Sequence, residues 1–215
     1  MSPPHSPGAK FPIAVRLLAV LWMLVWIPSY WRTWGAANFV QLCDVAALLT
    51  CIGLFTGNAL LLSSQALASL LVDGAWMLDA AWRFFLGHSL LGGTDYLFDP
   101  QYPPWVRLLT LFHVAMPPLL IWALWRTGYD QRALALQSAI TLVLFSAARF
   151  TDPEKNMNFA FHDPFFKRAW GPPPVHVLVS VLFMIVVVYF PTHKFLEWLI
   201  PPRQAQSFIS KRPVR

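Results

Sequence analysis

Charged side chains are scarce in this chain of 215 residues. Only 12% of the residues are charged, whereas 57% are hydrophobic, and the mean hydropathy is +0.51. Soluble domains carry about 25% charged residues, because their surface faces water. The low charge excludes an ordinary soluble globule, and most of the exterior must face an apolar solvent. The sequence therefore predicts an integral membrane protein that has membrane lipids as its neighbours.

The chain is also poor in cysteine and in the motifs of soluble enzymes. Its two cysteines, Cys43 and Cys51, lie in one apolar run, which matches neither a secreted-type disulfide framework nor a metal-ligand spacing. No P-loop, GxGxxG, GxSxG or HExxH motif occurs. We therefore predict no cofactor and no metal. A metal ion held between helices by Asp44, Asp79 and His113 is the alternative.

The net charge of +6 does not indicate a nucleic-acid partner. The sixteen lysines and arginines form no basic stripe, and they lie mainly at the ends of apolar runs. That distribution is typical of membrane topology signals. We expect no nucleic acid as a partner, whereas a homo-oligomer or a larger membrane complex stays open.

Long apolar runs occupy most of the chain. A membrane-spanning helix needs roughly 20 mainly apolar residues, and six runs fit this length, at about 11–31, 37–56, 59–86, 105–127, 131–150 and 175–200. Gly57 and Asn58 predict a tight turn between the second and third runs. The predicted fold is all-α: a polytopic integral membrane protein with one domain of six transmembrane helices over 11–200. A polar N-terminal tail at 1–10 and a basic C-terminal tail at 201–215 flank it.

Six spans place both termini on the same side of the membrane. That side holds nine of the sixteen basic residues, so the positive-inside rule predicts cytoplasmic termini in a bacterial inner membrane. A cleaved signal peptide is the rival interpretation of the first run, since Lys10 precedes it and residues 35–37 resemble a cleavage site. The length of the run and its Trp22 and Trp26 favour a span.

Two long connections lie on the side opposite the termini, at 88–104 and 151–174. Structureless connections of this length are uncommon unless they bind or cover something, so the two segments predict a lid. Amphipathic segments that rest on the membrane surface are the alternative.

A few ionisable side chains fall inside the predicted spans, where they are costly and usually functional. They are Asp44, Asp73, Asp79, Arg83, His113 and Arg149. From the helical rise, Asp44, Asp79 and His113 lie roughly 10 to 13 Å from the long-loop end of their spans. Arg83 and Arg149 lie nearer the boundary, and Asp73 lies deeper. We therefore expect one polar layer between spans two to five.

Local spacing adds two expectations. Asp79 and Arg83 are four residues apart on one helix face, so an ion pair within the helix is the structural alternative to a functional role. Pro117 cannot donate to the carbonyl of His113, so we expect a kink just beyond this histidine. A packing role for the His113 side chain, with an ordinary hydrogen bond, stays open.

Two short motifs resemble the androgen-induced-gene-like family of six-span membrane lipid hydrolases. The segment NFVQLCD at 38–44 is similar to the family's aromatic residue, threonine and following aspartate, and HVAMPP at 113–118 is similar to its histidine followed by proline. The resemblance implies hydrolysis of lipid esters by a threonine nucleophile and a histidine. The histidine falls on His113, but the threonine position falls on Gln41, which cannot be that nucleophile. The chain as a whole also resembles a group of bacterial integral membrane proteins.

Two classes of function follow. In the first, hydrolase-like chemistry on lipids uses His113 as general base and Asp44 or Asp79 as its orienting carboxylate, with water or the Cys43 thiol as nucleophile. The candidate substrate-binding residues are Gln41, Arg83 and Arg149. In the second, the protein is non-catalytic: a binding protein for a lipid or quinone, a small transporter, or a subunit of a larger complex. The sequence has no internal repeat, which counts against a transporter.

Overall fold

The computed structural model of the protein describes residues 11–200, and within this range it is all-helical, with no β-strand. The predicted tails at 1–10 and 201–215 lie outside the described residues. The α-helices are α1 (Ile13–Trp34), α2 (Leu42–Thr56), α3 (Ala59–Leu86), α4 (Asp95–Phe98), α5 (Pro104–Leu109), α6 (Phe112–Thr127), α7 (Ala133–Ala148), α8 (Pro173–Phe183) and α9 (Phe190–Leu199). Three 3-10 turns (Ala36–Val40, Pro153–Lys155, Met157–Phe159) and a π-helical segment (Met184–Tyr189) lie between them. The all-helical prediction is confirmed.

Four helical segments in the described range are long and apolar enough to cross a membrane. They are α1, α3, the segment Pro104–Thr127 that joins α5 to α6, and the segment Pro173–Leu199 that runs from α8 to α9. The second and fifth predicted runs form shorter apolar helices, α2 with 15 residues and α7 with 16. Such helices are about 22 to 24 Å long, against a hydrocarbon core of about 30 Å. The structure therefore supports a membrane protein. Four of the six predicted spans are helices long enough to cross the hydrocarbon core.

Helix α3 lies at the centre of the bundle, where it packs against α2, α6 and α7. The predicted turn between α2 and α3 is confirmed. Gly57 adopts a left-handed conformation with φ of 65°, and the Asn58 side chain accepts a hydrogen bond from the Leu61 N–H at 3.0 Å. The two helices are thereby held as an antiparallel hairpin.

The close approach of α2 and α3 depends on the absence of a side chain at Gly53. A Cβ atom at this position would lie 2.8 Å from Cδ2 of Leu62, which is fully buried. Gly53→Ala should therefore lower the unfolding free energy by about 1 to 3 kcal/mol, measured by thermal unfolding in detergent. The matched control is Gly74→Ala on α3, where a Cβ meets nothing within 4 Å. An equal effect of the two substitutions would contradict a packing role for Gly53.

The helix of the fourth predicted span is interrupted before the histidine, whereas the kink expected just beyond it stays a prediction. Helix α5 ends at Leu109 and α6 starts at Phe112, while α6 runs without interruption through Pro117. The Thr110 hydroxyl donates a hydrogen bond to the Arg107 carbonyl at 2.6 Å. This local bond competes with the backbone hydrogen bonds that would continue the helix. His113 therefore stands in the first turn of α6.

A cluster of aromatic side chains packs α1 against the rest of the bundle. Trp26 is fully buried and packs against the rings of Trp22, Tyr30, Phe39 and Phe112 at centroid distances of 4.7 to 6.0 Å. Aromatic pairs at these separations contribute beyond their buried area. Most of the other side chains of α1 are exposed, as expected for a lipid-facing helix.

The two long connections meet at the C-terminal end of α1. The Trp34 ring contacts the rings of Tyr96 and Tyr102 from the first connection, at 6.0 and 5.5 Å. Lys155 of the second connection donates to the Trp34 carbonyl at 3.4 Å. One end of the bundle is therefore covered by both segments.

Candidate functional site

A buried carboxylate and imidazole pair lies between α3 and α6. Nδ1 of His113 is 2.7 Å from Oδ1 of Asp73, and the two residues are only 5% and 1% exposed. The second carboxylate oxygen of Asp73, Oδ2, is buried and has no hydrogen-bond partner among residues 11–200. The carboxylate that contacts His113 is therefore Asp73, which we expected to lie too deep, and neither Asp44 nor Asp79.

Trp76 connects this pair to the first long connection. The Trp76 ring stacks on the His113 ring at 4.8 Å, and its Nε1–H donates to the Tyr96 hydroxyl at 2.9 Å. Phe112 also stacks on the imidazole, at 4.1 Å. Trp76 is not among the site residues predicted from the sequence. Its spacing of three residues from Asp73, which places both on one helix face, is the signal that could have found it.

Asp44 belongs to a second buried group beside the first. It is 2% exposed, and it accepts a hydrogen bond from the Asn38 amide at 2.6 Å, with the Cys43 thiol 3.9 Å from its other oxygen. Tyr96 lies within electrostatic range of Cys43 and Asp44. Burial raises the pKa of Tyr96 well above its usual value, and these two residues add to the rise against the opposing bond from Trp76. Tyr96 is therefore a neutral phenol at physiological pH.

Asp79 anchors the start of the first long connection. Its Oδ1 accepts the backbone N–H groups of Leu90 and Leu91 at 2.8 and 2.5 Å, and its Oδ2 accepts the N–H and the hydroxyl of Thr94 at 3.0 and 2.6 Å. It makes no ion pair with Arg83, which pairs with Asp95 instead. The expected pair within α3 does not form, because both residues have partners in the connection.

Gln41 and Arg149 hold the second long connection. The Gln41 side chain accepts the Asn158 N–H at 3.4 Å, and Arg149 donates to the Ala160 carbonyl at 3.1 Å while its guanidinium lies 4.1 Å from the Phe161 ring centroid. No hydrogen bond in the described range joins either residue to His113. The six predicted site residues and Asp73 thus divide into a buried centre and a ring of loop anchors.

An open cleft lies at the loop end of the bundle, with a volume of about 480 Å³. Arg83 and Asp95 form an ion pair on its wall, and the Arg83 guanidinium lies 5.2 Å from the Phe98 ring centroid. Tyr96 lines the cleft and also bonds Trp76. Two side chains, Tyr96 and Trp76, therefore lie between this cleft and the buried Asp73 and His113 pair.

A second histidine network, which the sequence did not indicate, lies at the other end of the bundle. The Tyr129 hydroxyl is 2.6 Å from Nδ1 of His193, whose Nε2 is 3.3 Å from Glu197. Burial raises the pKa of Tyr129 above its usual value, and the charges of Glu197 and Asp130 add to the rise. This network joins the turn between α6 and α7 to α9, and it provides a matched control for the first pair.

The described residues contain no group of three or more histidine, cysteine, aspartate or glutamate side chains placed to hold a metal ion. Asp79 directs both oxygens to backbone and hydroxyl donors, which leaves none free for a cation shared with His113. An imidazole that a carboxylate orients is an arrangement that can serve acid–base chemistry. Comparison of the chain with family models, with curated proteins and with solved structures found no match, so the site is interpreted from its own geometry.

Proposed function

We propose that the chain is a six-span integral membrane protein of a bacterial inner membrane, with both termini in the cytoplasm. Helices α2 and α7 are the short spans, and local thinning of the bilayer accommodates them. Their apolar composition and their packing against α3 support this assignment. The excess of basic residues on the terminal side supports the orientation.

The function that the geometry supports best is hydrolysis of a lipid ester, with His113 as the general base. The contact of 2.7 Å between Nδ1 of His113 and Asp73 carries this proposal. A carboxylate on Nδ1 fixes the tautomer in which Nε2 is unprotonated, and it stabilises the imidazolium that forms during proton transfer. In the described range, Nε2 makes no hydrogen bond, so it is left for a reacting group. Asp73 is the positioning residue.

The nucleophile in this mechanism is water, since no hydroxyl or thiol of residues 11–200 bonds Nε2 of His113. His113 takes a proton from water, and the water oxygen attacks the carbonyl carbon of the ester. The carbon–oxygen bond to the alcohol then breaks, and the imidazolium returns its proton to the leaving oxygen. The products are a fatty acid and an alcohol.

Non-catalytic binding of a lipid is the second candidate. The observation that favours it is the stacking of both Trp76 and Phe112 on the His113 ring, as in a packed core. In that case Asp73 and His113 are a satisfied buried pair, and the cleft alone binds the lipid. Turnover separates the two candidates, because only the first requires a mobile proton on His113.

The Asp73→Asn variant tests the hydrolase proposal. We expect the wild-type chain, purified in maltoside micelles, to release fluorescent umbelliferone from its long-chain acyl ester. Asparagine keeps the size of the side chain but no longer fixes the reactive tautomer, so kcat should fall about a hundredfold or more while KM changes little.

The matched control is Glu197→Gln, which alters the carboxylate beside His193 at the other end of the bundle and should keep turnover. Absence of ester cleavage by the wild-type chain would reject the hydrolase proposal in favour of binding. An unchanged kcat in Asp73→Asn would reject Asp73 as the positioning residue.

A further inference from the structure

The cleft lies at the loop end of two candidate membrane spans. Its walls come from the last turns of α3, which ends at Leu86, and from the connection that leads to α5 at Pro104. Both helices belong to candidate membrane spans. The polar headgroup layer begins where the hydrocarbon core ends. A headgroup can therefore enter this cleft while its acyl chains stay in the bilayer.

The cleft is lined by one guanidinium group, that of Arg83, and by two carboxylates, those of Asp95 and Asp99. Arg83 is paired with Asp95 through one terminal nitrogen, and no other hydrogen bond of this guanidinium occurs in the described range. Asp99 also lines the cleft, and it accepts only from the Gln101 backbone and side chain, at 2.9 and 2.5 Å. No cation among residues 11–200 pairs with Asp99. The cleft thus offers free N–H donors and an uncompensated carboxylate.

Aromatic rings line the same cleft. Tyr96, Phe98 and Tyr102 contribute to its walls, and the Phe98 ring already has the Arg83 guanidinium 5.2 Å from its centroid. A quaternary ammonium group cannot form N–H hydrogen bonds, so aromatic faces and a carboxylate are the groups that recognise it. Tyr96 and Tyr102 share Trp34 as a packing partner, which holds both rings in place.

We propose that this cleft binds the headgroup of a zwitterionic phospholipid. Its trimethylammonium group contacts Asp99 with Tyr96 and Tyr102, and its phosphate accepts the N–H groups of Arg83 that Asp95 leaves free. This inference rests on the proposed function, of which it names the substrate class. The ester groups of such a lipid lie deeper than its headgroup, toward Trp76 and His113.

Binding is measured without turnover. The full chain in maltoside micelles is titrated with monomeric diheptanoyl-phosphatidylcholine, and binding is followed by intrinsic tryptophan fluorescence and by the rise in Tm. Diheptanoyl-phosphatidylglycerol, which lacks the cation, should bind about tenfold more weakly. Asp99→Asn should remove this preference. Asp130→Asn, at the other end of the bundle, is the control that should retain it.

Equal binding of the two lipids by the wild-type chain, or an unchanged preference in Asp99→Asn, would overturn the inference. Glycerophosphocholine provides the soluble form of the same headgroup, and equally tight binding of it would overturn the assignment to a lipid. The two proposals fail separately. A chain that prefers phosphatidylcholine but cleaves no ester contradicts only the hydrolase, whereas a chain that cleaves esters without this preference contradicts only the headgroup site.

Discussion

His113→Ala is expected to abolish ester hydrolysis, with a fall in kcat of about 10² to 10⁴, the range that positioned general bases contribute. The physical reason is the loss of Nε2, the one basic atom that Asp73 orients toward a substrate. Truncation also leaves space between Trp76 and Phe112. Added imidazole should bind there and restore part of the rate, which a loss caused by misfolding would not allow.

Removal of the imidazole also leaves the buried Asp73 carboxylate without its hydrogen-bond partner, which can cost about 3 to 5 kcal/mol of stability. His113→Gln separates this effect from catalysis, because its amide can still donate to Asp73 but cannot act as a base. The matched control is His193→Ala, which removes the histidine that contacts Tyr129 and Glu197. Retained turnover in His113→Gln would reject His113 as the general base. A loss of turnover in His193→Ala as large as that in His113→Ala would show that the effect comes from damage to the fold.

The helices could be predicted from sequence because the bilayer restricts them strongly. A chain in hydrocarbon must satisfy its own backbone hydrogen bonds, so an apolar run long enough to cross the bilayer must be helical. The third run matches α3 at both ends, where Asn58 and Gly87 cap the helix. The second and fifth runs match less well, since the residues at their loop ends form 3-10 or irregular structure rather than α-helix.

The buried pair was harder to predict than the helices. The estimate of depth assumed straight spans with equal boundaries, and it placed Asp73 below the layer of His113. Helix α3 has 28 residues, and α6 begins only after a break at Thr110 and Leu111, so His113 stands opposite Asp73. The start of α6 depends on a local hydrogen bond of the Thr110 hydroxyl, and a hydropathy profile does not predict such a bond.

The partners of Asp79 and Arg83 were also beyond sequence reasoning, for a different reason. Backbone N–H groups occur at every residue except proline, so no residue pattern marks the ones that bond Asp79. The spacing of four residues within α3 favoured a local pair, but Asp95 of the connection binds Arg83 instead. Side chains at the end of a span meet loop atoms that periodicity does not describe.

Asp79→Ala should be among the most destabilising single substitutions in the described range. This carboxylate is 1% exposed and accepts four hydrogen bonds from residues 90–94, so its loss leaves the donors of Leu90, Leu91 and Thr94 without their partner. The two donors of the fully buried Thr94 would cost about 1 to 3 kcal/mol each when unpaired, whereas the N–H groups of Leu90 and Leu91 are only part-buried and can bond water, so we expect a total of about 3 to 5 kcal/mol. Thermal unfolding and limited proteolysis within residues 87–103 measure the effect.

The matched control is Asp95→Asn, which removes another carboxylate of the same connection. Asp95 has a half-exposed side chain and a single ion pair with Arg83, so its loss should cost less than about 1 kcal/mol. Asp79→Ala should also weaken binding of phosphatidylcholine, because Thr94 immediately precedes α4, which carries Tyr96 into the cleft. Wild-type stability and wild-type resistance to proteolysis in Asp79→Ala would contradict the role of Asp79 in holding the connection in place. A direct role of Asp79 at the site would then be the remaining explanation for its burial.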